Sequence, residues 1–161
     1  MTLRIFTATL ALFGLLFLSG VEAASDADVL DRLFPRSSLQ IATSDAHLHR
    51  FDIWVADTEQ RRERGLMFVK HMASDAGMLF IYPRSQNISM WMKNTYIPLD
   101  MLFVSSDGKV VKVVENTKPE SLDTINSDGA VRGVIELNAG VAAQLKLRPG
   151  SVVIHPAFLP Q

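Results

Sequence analysis

Cysteine is absent from the 161-residue chain. That excludes disulfides, thiol nucleophiles, Cys-ligated zinc and iron–sulfur clusters together, so any fold must stand on packing alone. An excess of charge of one sign is also missing. The 16 Lys and Arg residues face 17 Asp and Glu, for a formal net charge of −1. No Lys/Arg stripe breaks that balance, which argues against a nucleic-acid partner. There is no Gly-rich phosphate loop, no G-x-S-x-G elbow and no H-E-x-x-H pair, so serine-hydrolase and zinc-protease chemistry has no foothold and no cofactor is implied.

Long apolar runs are confined to residues 5–18, and that run falls short of the ~20 residues needed to span a bilayer. Arg4 precedes it and Val21-Glu22-Ala23 follows, an order that reads as a secretory signal cleaved after Ala23. The protein is therefore expected to be exported, periplasmic or extracellular, with no membrane anchor after cleavage. With no cysteine after the run, a lipid-attached form is excluded. Losing Arg4 and Glu22 together leaves the net charge at −1. Residues 24–161 then divide into a polar leader over 24–38 and a single mainly-β domain over 39–161. A domain of this size buries about two-thirds of its unfolded surface, enough for a core without staples.

In the leader, Val29, Leu30, Leu33 and Phe34, ended by Pro35, fit one or two amphipathic helical turns or a mobile segment. Alternating apolar residues predict strands at 39–43 and 51–55. Asp57 with Gln60 resembles a capping box for a charged helix over 58–64, which Gly65 is placed to stop. A strand at 78–82 closes at Pro83, and two more follow at about 88–94 and 99–105. Asp107-Gly108 predicts a two-residue hairpin with positive φ at both positions, leading into a strand at 109–115. Residues 116–130 read as a long polar loop and 131–137 as a strand. Asn138 is placed to cap a short helix over 139–146, before a Pro149-Gly150 turn and a last strand at 151–155. About eight short strands and two short helices, linked by hairpin signals, predict a compact antiparallel β sandwich or distorted barrel.

The densest chemistry lies in residues 91–103, WMKNTYIPLDMLF, where polar side chains crowd between apolar pieces and need partners. Asp100 and Glu136 are the carboxylates embedded in apolar strands, and Arg64 and Lys93 are the cations in comparable settings. Folded together, they could orient a small polar ligand or run acid–base chemistry, or they could be a fully paired buried network. Trp91 beside Lys93, Asn94 and Thr95 suits a stacking platform with fixed donors. Equally, Asn94 and Thr95 could bond backbone at the bend before Pro98. His47 and His49 stand two apart, but spacing implies no third metal ligand. Met90 and Met92 are soft donors of the copper(I) type, although flexible core filling accounts for the methionines as a set.

Arg64-Gly65-Leu66-Met67, Gly77-Met78-Leu79-Phe80, the stretch 91–103 and Glu136-Leu137-Asn138-Ala139-Gly140 occur in one order. The set resembles the prokaryotic family named domain of unknown function 192, over about residues 39–155. The resemblance implies a compact mainly-β, sandwich-like fold, often exported, and no established activity. The preferred expectation is a domain that binds a small polar ligand or a protein partner at these motifs, through Arg64, Trp91, Lys93, Asn94, Asp100 and Glu136. A hydrolase using Asp100 and Glu136 as paired carboxylates, or a purely structural or interaction domain, are the alternatives.

Overall fold

The computed structural model describes residues 24–159; the signal segment expected over residues 1–23 lies outside them. Among the described residues no helix is long and apolar enough to cross a membrane. The elements run α1 (Asp26–Leu33), β1 (Arg36–Ala42), β2 (Leu48–Ala56), α2 (Glu59–Arg64), β3 (Ala76–Met90), β4 (Leu99–Val104) and β5 (Val110–Val114). They continue with β6 (Ile125–Asn138), α3 (Val141–Leu145), β7 (Val152–Ile154) and a 3-10 turn at Pro156–Phe158. The seven strands form one sheet in the order β5-β4-β6-β3-β2-β1-β7.

That sheet curls into a half-barrel. Its two edges touch where Lys109 bridges Val152, supported by Val153 N–H donating to the Gly108 carbonyl at 2.7 Å and Val110 N–H to that of Ser151 at 2.9 Å. All seven strands send side chains into the concave core, among them Ile41, Ile53, Leu79, Leu102, Val110, Ile135 and Val153. A second core lies on the convex face, where Leu30 and Phe34 at and just beyond α1 and Leu66 and Val69 after α2 pack on Trp54, Met78, Phe80, Met101, Phe103 and Val134. Both faces of the central strands are thus buried, which explains why β4 is buried at all six positions instead of alternating.

Several expectations need correction. The fold is mainly β, but the sheet is mixed, because β2 and β3 pair in parallel. A parallel pair needs a crossover, and α2 with the loop after it supplies one. Seven strands replace eight, since β3 continues through Pro83 to Met90. Pro83 sits where the β3–β6 register slips between Ile81 and Gln86, a bulge at which the missing N–H leaves no ladder bond unmade. In answer, β6 begins at Ile125, inside the stretch expected as loop.

Three α-helices form, not two. The leader is α1, held by a Ser25–Asp28 capping box and tied down by Asp26, whose carboxylate accepts the Lys70 and His71 N–H groups, each at 2.8 Å. Thr58, not Asp57, caps α2, while Asp57 pairs with Arg61 at 2.7 Å. Gly140, not Asn138, precedes α3. Asn138 ends β6 and donates to the Met72 and Ala73 carbonyls at 3.1 and 2.9 Å. At the β4–β5 hairpin only Gly108 has positive φ, at 82°. The connection is accordingly a longer turn ending in a left-handed glycine. Gly108 also lies against β7, where a Cβ would come within 2.7 Å of the Val153 carbonyl oxygen.

Asp100 belongs to this scaffold. It is fully buried on the concave side, and its two oxygens accept the N–H of Asn116 at 2.9 Å and of Ala142, in the first turn of α3, at 2.8 Å. The carboxylate thereby pins α3 and the chain leaving β5 to the sheet. Asp100→Asn turns one acceptor into a donor that faces an N–H group. It is expected to destabilise the protein by about 1–3 kcal/mol in urea denaturation; a variant as stable as the parent would remove Asp100 from the scaffold.

Candidate functional site

A cleft of about 410 Å³ opens on the convex side. One wall is α2 and its exit, with Arg62, Arg64 and Met67. The other is the outer half of β3, with Tyr82, Gln86, Ser89 and Met90. Trp91 and Lys93 close the end, and Phe80 and Glu136 lie on the floor. The extension of β3 beyond Pro83 builds the second wall, and Gly65 lets the chain leave α2 over the Phe80 ring.

Sheet register sets the floor. Glu136 in β6 stands opposite Met78 on β3 and Met101 on β4, so its neighbours across the ladder are apolar. Gly77 keeps the backbones close there, since a Cβ would fall 2.7 Å from the Glu136 carbonyl oxygen. The Glu136 side chain is only 4% exposed, and burial alone pushes its carboxyl up to about 8. At neutral pH it is therefore a protonated, neutral acid. Burial also pushes the Tyr82 phenol up, with the nearby Arg62 opposing and Glu136 adding to the shift.

The cations around this acid are held by neutral groups. Arg62 donates to the carbonyls of Asp57 at 2.8 Å and Ile81 at 2.9 Å and lies 5.0 Å from the Tyr82 ring centre. Arg64 donates to the Met67 carbonyl and sits 5.0 Å from the Phe68 ring centre, and partial burial lowers its pKa. Lys93 Nζ stands 5.0 Å from the centre of the Trp91 ring, which is 50% exposed. The seven ion pairs found among the described residues all lie elsewhere.

Of the six binding residues expected from the sequence, four, Arg64, Trp91, Lys93 and Glu136, line this cleft, and Thr95 joins them. Asn94 stands behind it as a clamp. In a left-handed conformation with φ 55°, its carbonyl accepts the Phe68 N–H at 2.8 Å, and its side-chain amide lies 3.8 Å from the Met67 sulfur. Asp100 is across the sheet, because Asp100 pairs with Leu137 and Met101 with Glu136, and successive residues face opposite ways. The two carboxylates do not share a cleft, so the paired-carboxylate hydrolase has no geometric basis.

Arg62 and Tyr82 were not singled out in the sequence. Arg62 looked like one of several solvated charges in the run 58–64, and Tyr82 like the end of an apolar strand. A tyrosine at a strand end, apolar ring inward and hydroxyl outward, is the one signal that could have flagged the second. Met90 and Met92 part company: Met92 is buried with its sulfur 3.2 Å from the Thr117 hydroxyl oxygen, whereas Met90 lines the cleft. His47 and His49 stack at 6.4 Å on the β1–β2 hairpin, and no group of three or more His, Cys, Asp or Glu side chains placed to hold a metal ion occurs among the described residues.

A Ser–His pair, Ser37 with His155 at 3.2 Å, is not an activated nucleophile. His155 Nδ1 accepts the Ala157 N–H at 3.1 Å and burial lowers the ring's pKa. The neutral ring therefore carries its proton on Nε2 and donates to the hydroxyl.

The model of the family described as "Uncharacterized ACR", domain of unknown function 192, matches residues 40–155. A crystal structure from Sinorhizobium meliloti 1021, described as a candidate transcription regulator, is 38% identical with a TM-score of 0.76. The match covers 77% of this chain and 96% of that one. A protein of unknown function from Novosphingobium aromaticivorans DSM 12444 is 30% identical with a TM-score of 0.72, over 74% of this chain and 85% of that one. No curated protein matches.

Glu136 links the cleft to stability. Between the 4.5 of an ordinary glutamate and about 8 in the fold, the native state keeps a proton that the unfolded chain has released. Stability therefore falls as pH rises through that window. Glu136→Gln removes the ionisation. Relative to parent, the variant is expected to gain on the order of 5 kcal/mol between acid pH and pH above ~8, read from urea denaturation at a series of pH values. A stability difference that does not change with pH would mean that the carboxyl is not desolvated.

Proposed function

The chain belongs to the family domain of unknown function 192, and from that premise we propose that it is an exported domain that binds a small polar ligand in the cleft above Glu136. One observation carries the reading: the acid on the cleft floor is buried against apolar neighbours, and desolvation alone sets its pKa. Its carboxyl opens onto the cleft from apolar surroundings, so a ligand that accepts its proton gains a hydrogen bond from a largely desolvated donor. Around it the lining mixes apolar side chains such as Leu66, Met67, Phe80 and Met90 with convergent polar groups, and an exposed ring offers a surface for stacking. Export rests on Arg4, the apolar run and Val21-x-Ala23. The near-neutral charge favours a small ligand over nucleic acid.

A second reading starts from the same residue. A carboxyl that holds its proton at neutral pH has the property a general acid needs. Here Glu136 would act without a second buried carboxylate, giving its proton to a leaving or carbonyl oxygen of the bound molecule.

The test is a screen of sugars, amino acids, short peptides and organic acids by thermal shift, with the Trp91 indole N–H followed by NMR. A true ligand is expected to raise the melting temperature and move the Trp91 signal while leaving the buried Trp54 signal in place. Lys93→Ala and Trp91→Ala alter exposed side chains, so they are expected to change stability by no more than about 0.5 kcal/mol while abolishing the shift. Silence across the screen by a folded protein, or shifts that survive both substitutions, would count against the cleft as a binding site. For export, intact-mass analysis of protein from the producing cell is expected to find a mature start near Ala24; a cytoplasmic protein retaining residues 1–23 would refute it.

A further inference from the structure

The charge arrangement in the cleft narrows the class of ligand. We propose that the cleft takes a small organic anion, with a carboxylate or phosphate oxygen set between Glu136, Arg64 and Lys93 and a flat ring laid against Trp91. This inference rests on the binding reading and adds the sign of the ligand's charge.

Every ionisable group facing the site belongs to one of four segments. Glu59, Arg62, Glu63 and Arg64 come from α2, Tyr82 from β3 and Lys93 from the loop after it, with Glu136 on the floor. Glu59 and Glu63 are solvent-exposed and form no ion pair with any of the three cations. Arg64 commits a donor to the Met67 carbonyl, while a guanidinium carries five. Lys93 meets only the face of Trp91 among the contacts described for it. These cations therefore retain donors for which the protein supplies no acidic acceptor.

Glu136 completes the arrangement. As a neutral acid it presents an O–H donor and adds no negative charge, so an oxyanion entering the cleft meets donors from the floor and from the rim. A cationic ligand would find the exposed rim carboxylates Glu59 and Glu63, but deeper in the cleft it would meet three cations and, on the floor, a carboxyl that must first lose its proton. The exposed Trp91 ring at the mouth gives a planar body a surface, and stacking there keeps the anionic end pointed inward.

The probes are benzoate and phenyl phosphate as ring-bearing anions, acetate as an anion without a ring, and benzylammonium as a ring-bearing cation. Each is titrated into the full folded domain with the Trp91 indole signal as readout. Benzoate or phenyl phosphate is expected to bind, acetate roughly tenfold or more weaker, and benzylammonium not detectably. Affinity for benzoate, a monoanion throughout the range, is expected to fall from about pH 6 to about pH 9 as Glu136 loses its proton. Glu136→Gln cannot ionise, so whatever affinity the variant has is expected not to change with pH across that range. Lys93→Ala is expected to weaken the anion roughly tenfold at every pH. Binding of benzylammonium in place of the anions, or benzoate binding that strengthens toward high pH, would overturn this inference and leave the cleft as a ligand site. No response to any of the four probes at millimolar concentration would also overturn this inference, while the binding reading itself stands or falls on the wider screen.

Discussion

Holding the Glu136 carboxyl between two apolar strands is the constraint on which the rest of the site depends. Taking a carboxylate out of water without a partner is prohibitive, so the group resolves the problem by keeping its proton. That proton then makes the floor of the cleft a neutral donor at physiological pH. The surrounding structure keeps the group in that state. Met78 and Met101 flank it on the neighbouring strands, Gly77 allows the β3 backbone to come close, and Arg62 and Arg64 are occupied by carbonyl oxygens and aromatic faces. A guanidinium paired directly with Glu136 would have ionised it.

The contrast with Asp100 shows how much a sheet can make of one residue of register. Asp100 and Met101 are consecutive on β4, and Leu137 and Glu136 are their partners on β6. One carboxylate therefore points to the concave core and one to the convex side. The first is met by two backbone N–H groups and works as a staple; the second meets no such donors and lines a cleft. Two acids in similarly apolar sequence surroundings thus take opposite roles, and the difference is decided by which face each reaches.

Much of this was legible in the residues. The apolar strand segments, the stop at Gly65, the turn at Gly108 and the importance of the stretch 91–103 all follow from local chemistry. Neighbouring motifs pack in the fold: β3 and β6 carry two of the four side by side, and the chain at Met67–Phe68 is clamped by Asn94. What local pattern could not show was pairing. Pro83 looked like a strand end because a bulge is a property of two strands, not one. The segment 125–130 looked like loop because its partner, the outer half of β3, had been cut off at that proline. The faces of Asp100 and Glu136 were hidden because β4 is buried on both sides and leaves no alternation to read. The leader was legible as an amphipathic pattern, but its docking through Leu30 and Phe34 depends on a groove built from residues far along the chain.

The cleft, its proposed ligand and its effect on stability all follow from one protonation state, which can be measured directly. With carbon-13 in the glutamate carboxyl groups, the Glu136 Cδ resonance can be identified by its loss in Glu136→Gln and followed from acid to alkaline pH. A midpoint near 8 is expected for the ligand-free protein. A midpoint near 4.5, that of an ordinary glutamate, would show an ionised and solvated group and contradict the neutral acid at the floor of the cleft.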